Sequence, residues 1–267
     1  MTAETERATA SRSGFARYRH ALWLLTTRDL KVRYSTSALG YLWSILDPLV
    51  MSAIYLFVFT VVFDREVGEQ PYIVFLLTGL LPWMWFTGAI SDCTRAFTRE
   101  AKLIRSTTIP RTIWVARLVL SKGIEFVLSI PVLAVFAIVF GASVGWGALL
   151  WIPAVLLQAA LTLGIGLIVA PLVVFFRDLE RAVKLVLRFA FYTSPIIYGL
   201  PDLREHGLEF WGALNPLSGI FALYRSAFFP DQFDPWAVGM SAAITGVVLV
   251  VGVLVFRGTI RGVLKAI

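Results

Sequence analysis

Uninterrupted apolar runs, each close to the thickness of a bilayer's hydrocarbon, recur along this chain from residue 40 to residue 256. A helix needs about 20 residues to cross ~30 Å of hydrocarbon. In lipid it must also satisfy every backbone N–H and C=O within itself. Runs that qualify lie at 40–63, 72–90, 118–140, 148–176, 183–198 and 236–256. The fourth carries Pro153 and Pro171, which predicts tilt or a kink, and the fifth is short and ends at Ser194-Pro195. Composition agrees: 58% of the 267 residues are hydrophobic and 15% are charged, where a soluble chain carries roughly a quarter charged residues. The expectation is an all-α polytopic membrane protein with six transmembrane helices.

Loop charge predicts the orientation. Segments 1–35, 91–112, 177–184 and the tail after residue 256 hold 18 of the 24 Lys and Arg residues. Loops 64–71, 141–147 and 199–235 hold only Arg65, Arg204 and Arg225. Basic loops stay in the cytoplasm, so both termini are expected there. The same distribution accounts for the net charge of +7 without nucleic acid as a partner. Residues 15–33 set Phe15, Tyr18, Leu22, Leu25 and Val32 at helical spacing, the pattern of an amphipathic helix lying in the interface. Segment 208–229 has two apolar runs broken at Asn215-Pro216. Each is too short to cross, which predicts a re-entrant helical hairpin on the outer side.

Motifs for catalysis are missing. There is no phosphate-binding G-x-x-x-x-G-K-[ST] loop, no H-E-x-x-H and no G-x-S-x-G. The single cysteine, Cys93, excludes a disulfide framework or a multi-thiolate metal site. His20 and His206 are too far apart for a local metal motif. No apolar core of a cleavable signal occurs in 1–35. A chain with no visible chemistry and a large basic loop is expected to be driven by a partner.

Several segments carry a more specific likeness. Residues 33–49 (RYSTSALGYLWSILDPL) place Arg33, Tyr34, Leu39, Gly40, Trp43, Pro48 and Leu49 in the pattern that enters the first span of polysaccharide-exporting ABC transporter permeases. GLLPWMWF (79–86) resembles that family's second span and KLIRSTTIPR (102–111) its cytoplasmic loop, with departures at Arg105-Ser106 and Ile109. FFRDLERAVKLVLRFAFYTSPIIY (175–198) and NPLSGIFALYR (215–225) resemble the segments around the fifth span and before the last. The resemblance, closest to exporters of O-antigen-type or cell-wall galactan polymers, implies residues 1–35 as an interfacial segment and 36–267 as the permease domain. It implies a cytoplasmic coupling loop at 91–112 and an outer re-entrant segment at 199–235. It further implies a homodimer in the bacterial cytoplasmic membrane, two copies of a separate ATPase subunit that binds ATP and Mg, and a lipid-linked polysaccharide as substrate.

Site residues follow from these readings. The segment Arg99–Ile109 is expected to form a short cytoplasmic helix docked in a groove on the ATPase, with Leu103 and Ile104 as buried anchor and Arg99, Lys102 and Arg105 around it. Asp47, Trp83, Trp85, Phe86, Tyr192 and Tyr198 are candidates for a sugar conduit, since aromatic faces stack on sugar rings. Trp211, Asn215, Pro216, Phe221, Tyr224 and Arg225 are candidates for the outer gate. Intramembrane charge is costly and marks function by default. Lys122 and Glu125 are expected to pair with each other and Arg117 to snorkel to the interface. Arg188 is expected to snorkel or to pair with Asp178 or Glu180, with substrate contact the less favoured alternative. Ala160/Gly164 and Gly166/Ala170 read as helix packing within the chain. Two rivals stand beside the exporter. A proton-coupled flippase or secondary transporter predicts an ionisable relay at mid-membrane, and a membrane-embedded transferase predicts paired carboxylates facing the cytoplasm.

Overall fold

The computed structural model describes residues 2–35, 42–58 and 69–267. Those residues form eleven α-helices and no strand. They are α1 (Thr2–Ser35), α2 (Trp43–Leu56), α3 (Tyr72–Cys93), α4 (Ala101–Ser106), α5 (Ile113–Val139) and α6 (Trp151–Phe175). Then follow α7 (Leu179–Thr193), α8 (Leu200–Glu205), α9 (Glu209–Ala213), α10 (Pro216–Arg225) and α11 (Pro235–Ala266). This is an all-α polytopic membrane protein. Helices α3, α5, α6 with the 3₁₀ turn before it, and α11 are long and apolar enough to cross a bilayer.

Two expected spans need comment. The run 40–63 contains α2, but its ends lie outside the described residues, as do Leu39, Gly40 and Arg65. The run 183–198 is shifted. Helix α7 begins earlier, at Leu179, and ends at Thr193 because Ser194 takes the extended conformation that the following Pro195 demands. Its 15 residues make a rod of ~22 Å. It carries Arg181, Lys184 and Arg188 on exposed positions and buries only Phe191.

Helix α3 is the centre of the bundle: 83% of its most apolar window is buried, against 17% for α11. Burial of α3 is completed by polar satisfaction, since fully buried Gln158 donates Nε2 to the Pro82 carbonyl at 2.7 Å. Helix α11 instead turns Val247, Val250 and Leu254 outward, as expected for a lipid-facing surface. It packs most extensively on α6, and glycine makes this possible. A Cβ on Gly252 would lie 2.4 Å from the Gly164 carbonyl oxygen, so the two backbones touch directly. Gly166 likewise backs onto Val115 and Cys93. Both small-residue positions serve contacts within the chain, as their spacing predicted.

The bundle has two distinct ends. At one, Leu25, Phe97, Ile104, Trp114, Leu167, Phe256 and Val263 share a core. That gathers α1, the 94–112 segment, the end of α6 and the end of α11. This is the basic end. At the far end, Leu200, Ala213, Ala222 and Ala237 bring α8, α9, α10 and the start of α11 together. The break in the segment 208–229 falls where the sequence placed it. Asn215 caps α10 by accepting from the Leu217 N–H at 3.0 Å, and Pro216 occupies the first helical position. Asp234 caps α11 in the same way through Trp236 and Ala237.

Candidate functional site

At the basic end, α4 is a helix of six residues. Its last carbonyls are satisfied by Arg111, whose Nη1 donates to Ile104 O at 2.7 Å and Thr107 O at 3.1 Å. Arg99, Lys102 and Arg105 are exposed and Leu103 is half-buried. Ile104 departs from expectation. It is fully buried in the core with Phe97, Ile113 and Trp114, so it anchors α4 to its own chain and is not an outward anchor. A helix this short has one apolar side, and the core shared by Phe97, Ile113 and Trp114 takes it.

Beneath α4 lies an ion-pair cluster that ties α1 to this junction. Arg117 on α5 is buried to 3% exposure and does not snorkel. Its guanidinium donates to both carboxylate oxygens of Asp29 at 2.5–2.6 Å and lies 5.1 Å from the Trp114 ring. Arg28 reaches Glu100, the residue before α4, at 2.6 Å, and Glu100 also stands 3.7 Å from Arg117. One turn deeper, Lys122 pairs with Glu125 at 2.7 Å as expected. Arg33 joins them, bonding Glu125 at 3.0 Å and Asp92 at 2.5 Å. Helix α1 is therefore double-faced. Tyr18, Leu22 and Leu25 pack inward while Phe15, Trp23, Leu24 and Val32 stay exposed.

Beside α3 a cavity of about 630 Å³ opens between α2, α3 and α7. Met51, Tyr55, Trp83, Thr87, Ser91, Lys184, Arg188 and Tyr192 contribute to its wall. Of the aromatic conduit candidates, it brings together Trp83 and Tyr192. Trp85 faces the other way, donating Nε1 to the Val119 carbonyl at 3.0 Å and stacking on Phe126. Phe86 is buried beside Trp83. Tyr198 lies past the end of α7, its hydroxyl donating to the Tyr192 carbonyl at 3.3 Å. Asp47 is exposed on α2, one turn before Met51 on the face that carries Met51 and Tyr55. Glu180, at the start of α7, accepts from Arg95 and from Lys184 at 2.8 Å. These hydrogen bonds push its carboxyl down to about 2. Arg188 is paired with neither Asp178 nor Glu180.

At the far end, α10 holds the turn that follows α7. Asn215 Nδ2 donates to Ser194 Oγ at 2.8 Å. Arg225, 1% exposed, donates Nη2 to Ile196 O at 2.7 Å and Nη1 to Tyr198 O at 2.9 Å, with its guanidinium 3.7 Å over the Phe75 ring. Tyr72 adds a bond to the Ile197 carbonyl at 3.2 Å. Three successive carbonyls are thus held by side chains. Trp211 is exposed, but Phe221 and Tyr224 are fully buried in the core. Their expected sugar contact is absent from this conformation, because Tyr224 packs edge-on against Trp151 and Phe126.

Comparison with known proteins fits this architecture. Residues 20–229 match the model of the ABC-2 type transporter family. The chain belongs to that family. Among curated proteins it is 35% identical over 238 residues to the O-antigen export system permease protein RfbA of Klebsiella pneumoniae, covering 88% of this chain and 90% of that one. An RfbA of Myxococcus xanthus is 31% identical over 233 residues, covering 87% and 89%. The polysialic acid transport protein KpsM of Escherichia coli is 26% identical over 254 residues, covering 92% and 96%. The family match takes in the second half of α1, the α4 junction, the cavity and α10, and ends before α11.

In this ABC-2 transporter chain the sequence reading missed Asp29, Asp92, Glu100 and Arg33 as partners at the junction. Their links to Arg117, Glu125 and Arg28 bridge 59 to 92 residues of sequence, so no local spacing reveals them. The available signal was acidic residues standing in an otherwise basic segment.

Proposed function

We propose that this chain is the membrane subunit of an ATP-driven exporter that carries a lipid-linked polysaccharide out across the bacterial cytoplasmic membrane. The carrying observation is the alignment with O-antigen export permeases over nine-tenths of both chains. The geometry supports it with an aromatic-walled cavity beside the central helix. The chain works as a homodimer with two copies of a separate ATPase, which binds ATP and Mg. The basic end is cytoplasmic, as is each terminus, and the α8–α10 end is outside.

The described residues then have the following work. Arg99, Lys102 and Arg105 on the exposed side of α4 meet the ATPase. Movement of α4 reaches α5 through Ile104 and reaches α1 through Glu100, Arg28, Asp29 and Arg117, because packed ion pairs and cores shift as units. The glycan slides along Trp83, Tyr55 and Tyr192, where aromatic faces bind sugar rings without fixing one register. The turn held by Arg225 and Asn215 forms the outer gate.

The test is reconstitution of the chain with its ATPase in proteoliposomes loaded with lipid-linked glycan. ATP with Mg should move glycan to the opposite face, and neither component alone should do so. Movement driven by a proton gradient without ATP would overturn the proposal in favour of a secondary transporter.

A further inference from the structure

Helix α7 forms one wall of the cavity beside α3, so where α7 stands sets the width of that cavity. Packing fixes its position only in part. Phe191 is its one buried residue, and Val183, Leu187 and Ala190 are partly buried against the core. Side-chain bonds do the rest, and they hold the two ends of α7 differently. The outer end is held by groups out of water. Arg225 bonds the Ile196 and Tyr198 carbonyls, and Asn215 bonds Ser194. Gly79 of α3 lets this turn seat close, since a Cβ there would lie 3.3 Å from the Ile196 backbone. Breaking such bonds strands buried polar groups, which is costly.

The inner end has a single tie. Arg95 donates Nε at 3.0 Å and Nη2 at 2.5 Å to Glu180 Oε1. Among the described residues this is the one side-chain bond between the first two turns of α7 and another element. The Arg95 side chain is 59% exposed, so water reaches the pair. An exposed pair adds little to stability, and it opens and recloses at little cost. Lys184 shares the same oxygen at 2.8 Å, which keeps Glu180 charged and facing Arg95. The arm that carries Arg95 is firm by contrast. It is the turn joining α3 to α4, in which Phe97 is fully buried and the Arg99 N–H bonds the Arg95 carbonyl at 3.1 Å. Glu100, which precedes α4, follows directly. Displacement of α4 therefore carries Arg95 with it.

We infer that Arg95 and Glu180 are positioning residues for transport, a latch through which the turn leading into α4 sets the inner end of α7 and hence the width of the cavity. The buried outer end is the pivot and the exposed inner end is the part that moves. For a rod of ~22 Å, a tilt of ~10° about the pivot carries the inner end ~4 Å. The inference rests on the exporter reading and adds to it a path from α4 to the cavity wall, separate from the path to α1 and α5.

The test counts glycan moved per ATP hydrolysed by the chain and its ATPase in proteoliposomes. R95Q and E180Q should each lower that ratio at least about fivefold. Both should melt as the wild type, pull down the ATPase as it does and still hydrolyse ATP. R95Q/E180Q should be no worse than either single variant, because each removes the same contact. R95K, which keeps a cation for Glu180, should restore most of the ratio. Two independent losses in the double variant would overturn the latch, as would loss of the ATPase by R95Q, which would place Arg95 on the docking face instead. An unchanged ratio in R95Q beside an active wild type would overturn the latch and leave the exporter reading standing. A wild type that moves no glycan with ATP would overturn the exporter reading and the latch with it.

Discussion

Lys102 and Ile104 stand two residues apart on one short helix and face opposite ways. Ile104 is fully buried and Lys102 is exposed. Placing a carboxylate at Ile104 buries a charge with no partner, which costs several kcal/mol. The Ile104→Asp protein should therefore melt well below the wild type in detergent, before any partner is considered. Reversing charge at Lys102 and Arg105 touches no core and should leave stability within about 0.5 kcal/mol. That double variant should still purify as a folded chain and should lose its ATPase in pull-downs. Loss of fold, or retention of the ATPase, would move the docking face elsewhere. Arg117 gives a second contrast. Removing one partner of a buried pair costs about 3–5 kcal/mol, while replacing both by apolar groups costs far less. Arg117→Met should thus be strongly destabilising, and adding Asp29→Leu should restore part of the loss in thermal melts. The snorkelling expected of Arg117 assumed lipid beside α5. The structure puts Asp29 there, carried by a helix 88 residues away in sequence, which no periodicity in the sequence could disclose.

Element boundaries followed local chemistry, and where chemistry was local they were legible. Asn215-Pro216 broke the apolar segment 208–229 because proline fixes the first helical position and asparagine caps it. The small residues on α6 announced close packing for the same reason. The short span was less legible: the apolar run pointed to 183–198, but α7 starts at Leu179 among charged residues. Hydropathy marks where a helix meets lipid and says little about where its hydrogen bonds begin. Phe221 and Tyr224 were misread because an aromatic residue near a membrane surface looks the same in sequence whether it packs or faces a channel. The α6–α11 contact yields a directional prediction. Gly252 touches the Gly164 backbone, whereas a Cβ on Gly246, two turns away on α11, meets nothing within 4 Å. Gly252→Ala should destabilise by about 1–3 kcal/mol through overpacking. Gly246→Ala should be neutral or slightly stabilising, since alanine is favoured over glycine in a helix by about 1 kcal/mol. Melting both variants beside the wild type reads the difference, and equal behaviour would mean that the two helices do not cross at Gly252.

For the molecule as a whole, one end gathers the basic segments and the other gathers α8–α10, so a single labelling experiment fixes its orientation. The only native cysteine, Cys93, is fully buried, and the wild type should be silent to an impermeant maleimide on intact cells. Ser143 and Glu209 are exposed at the far end, and Ser106 and Arg181 at the basic end. None of the four occupies a packed core position, so single cysteines there should fold normally. Glu180 is a poorer choice than its neighbour Arg181 because it holds Arg95 and Lys184. With 18 of the 24 basic residues in four segments at the basic end, the cost of moving cations across the membrane predicts that this end lies in the cytoplasm. Cysteines at Ser143 and Glu209 should therefore label on intact cells, and those at Ser106 and Arg181 should label only after permeabilisation. The mirror pattern would invert the molecule, placing the exposed face of α4 outside, where no ATPase could reach it. Labelling of Ser143 and Ser106 from the same side would be more damaging, since α5 joins them and would then fail to cross the membrane.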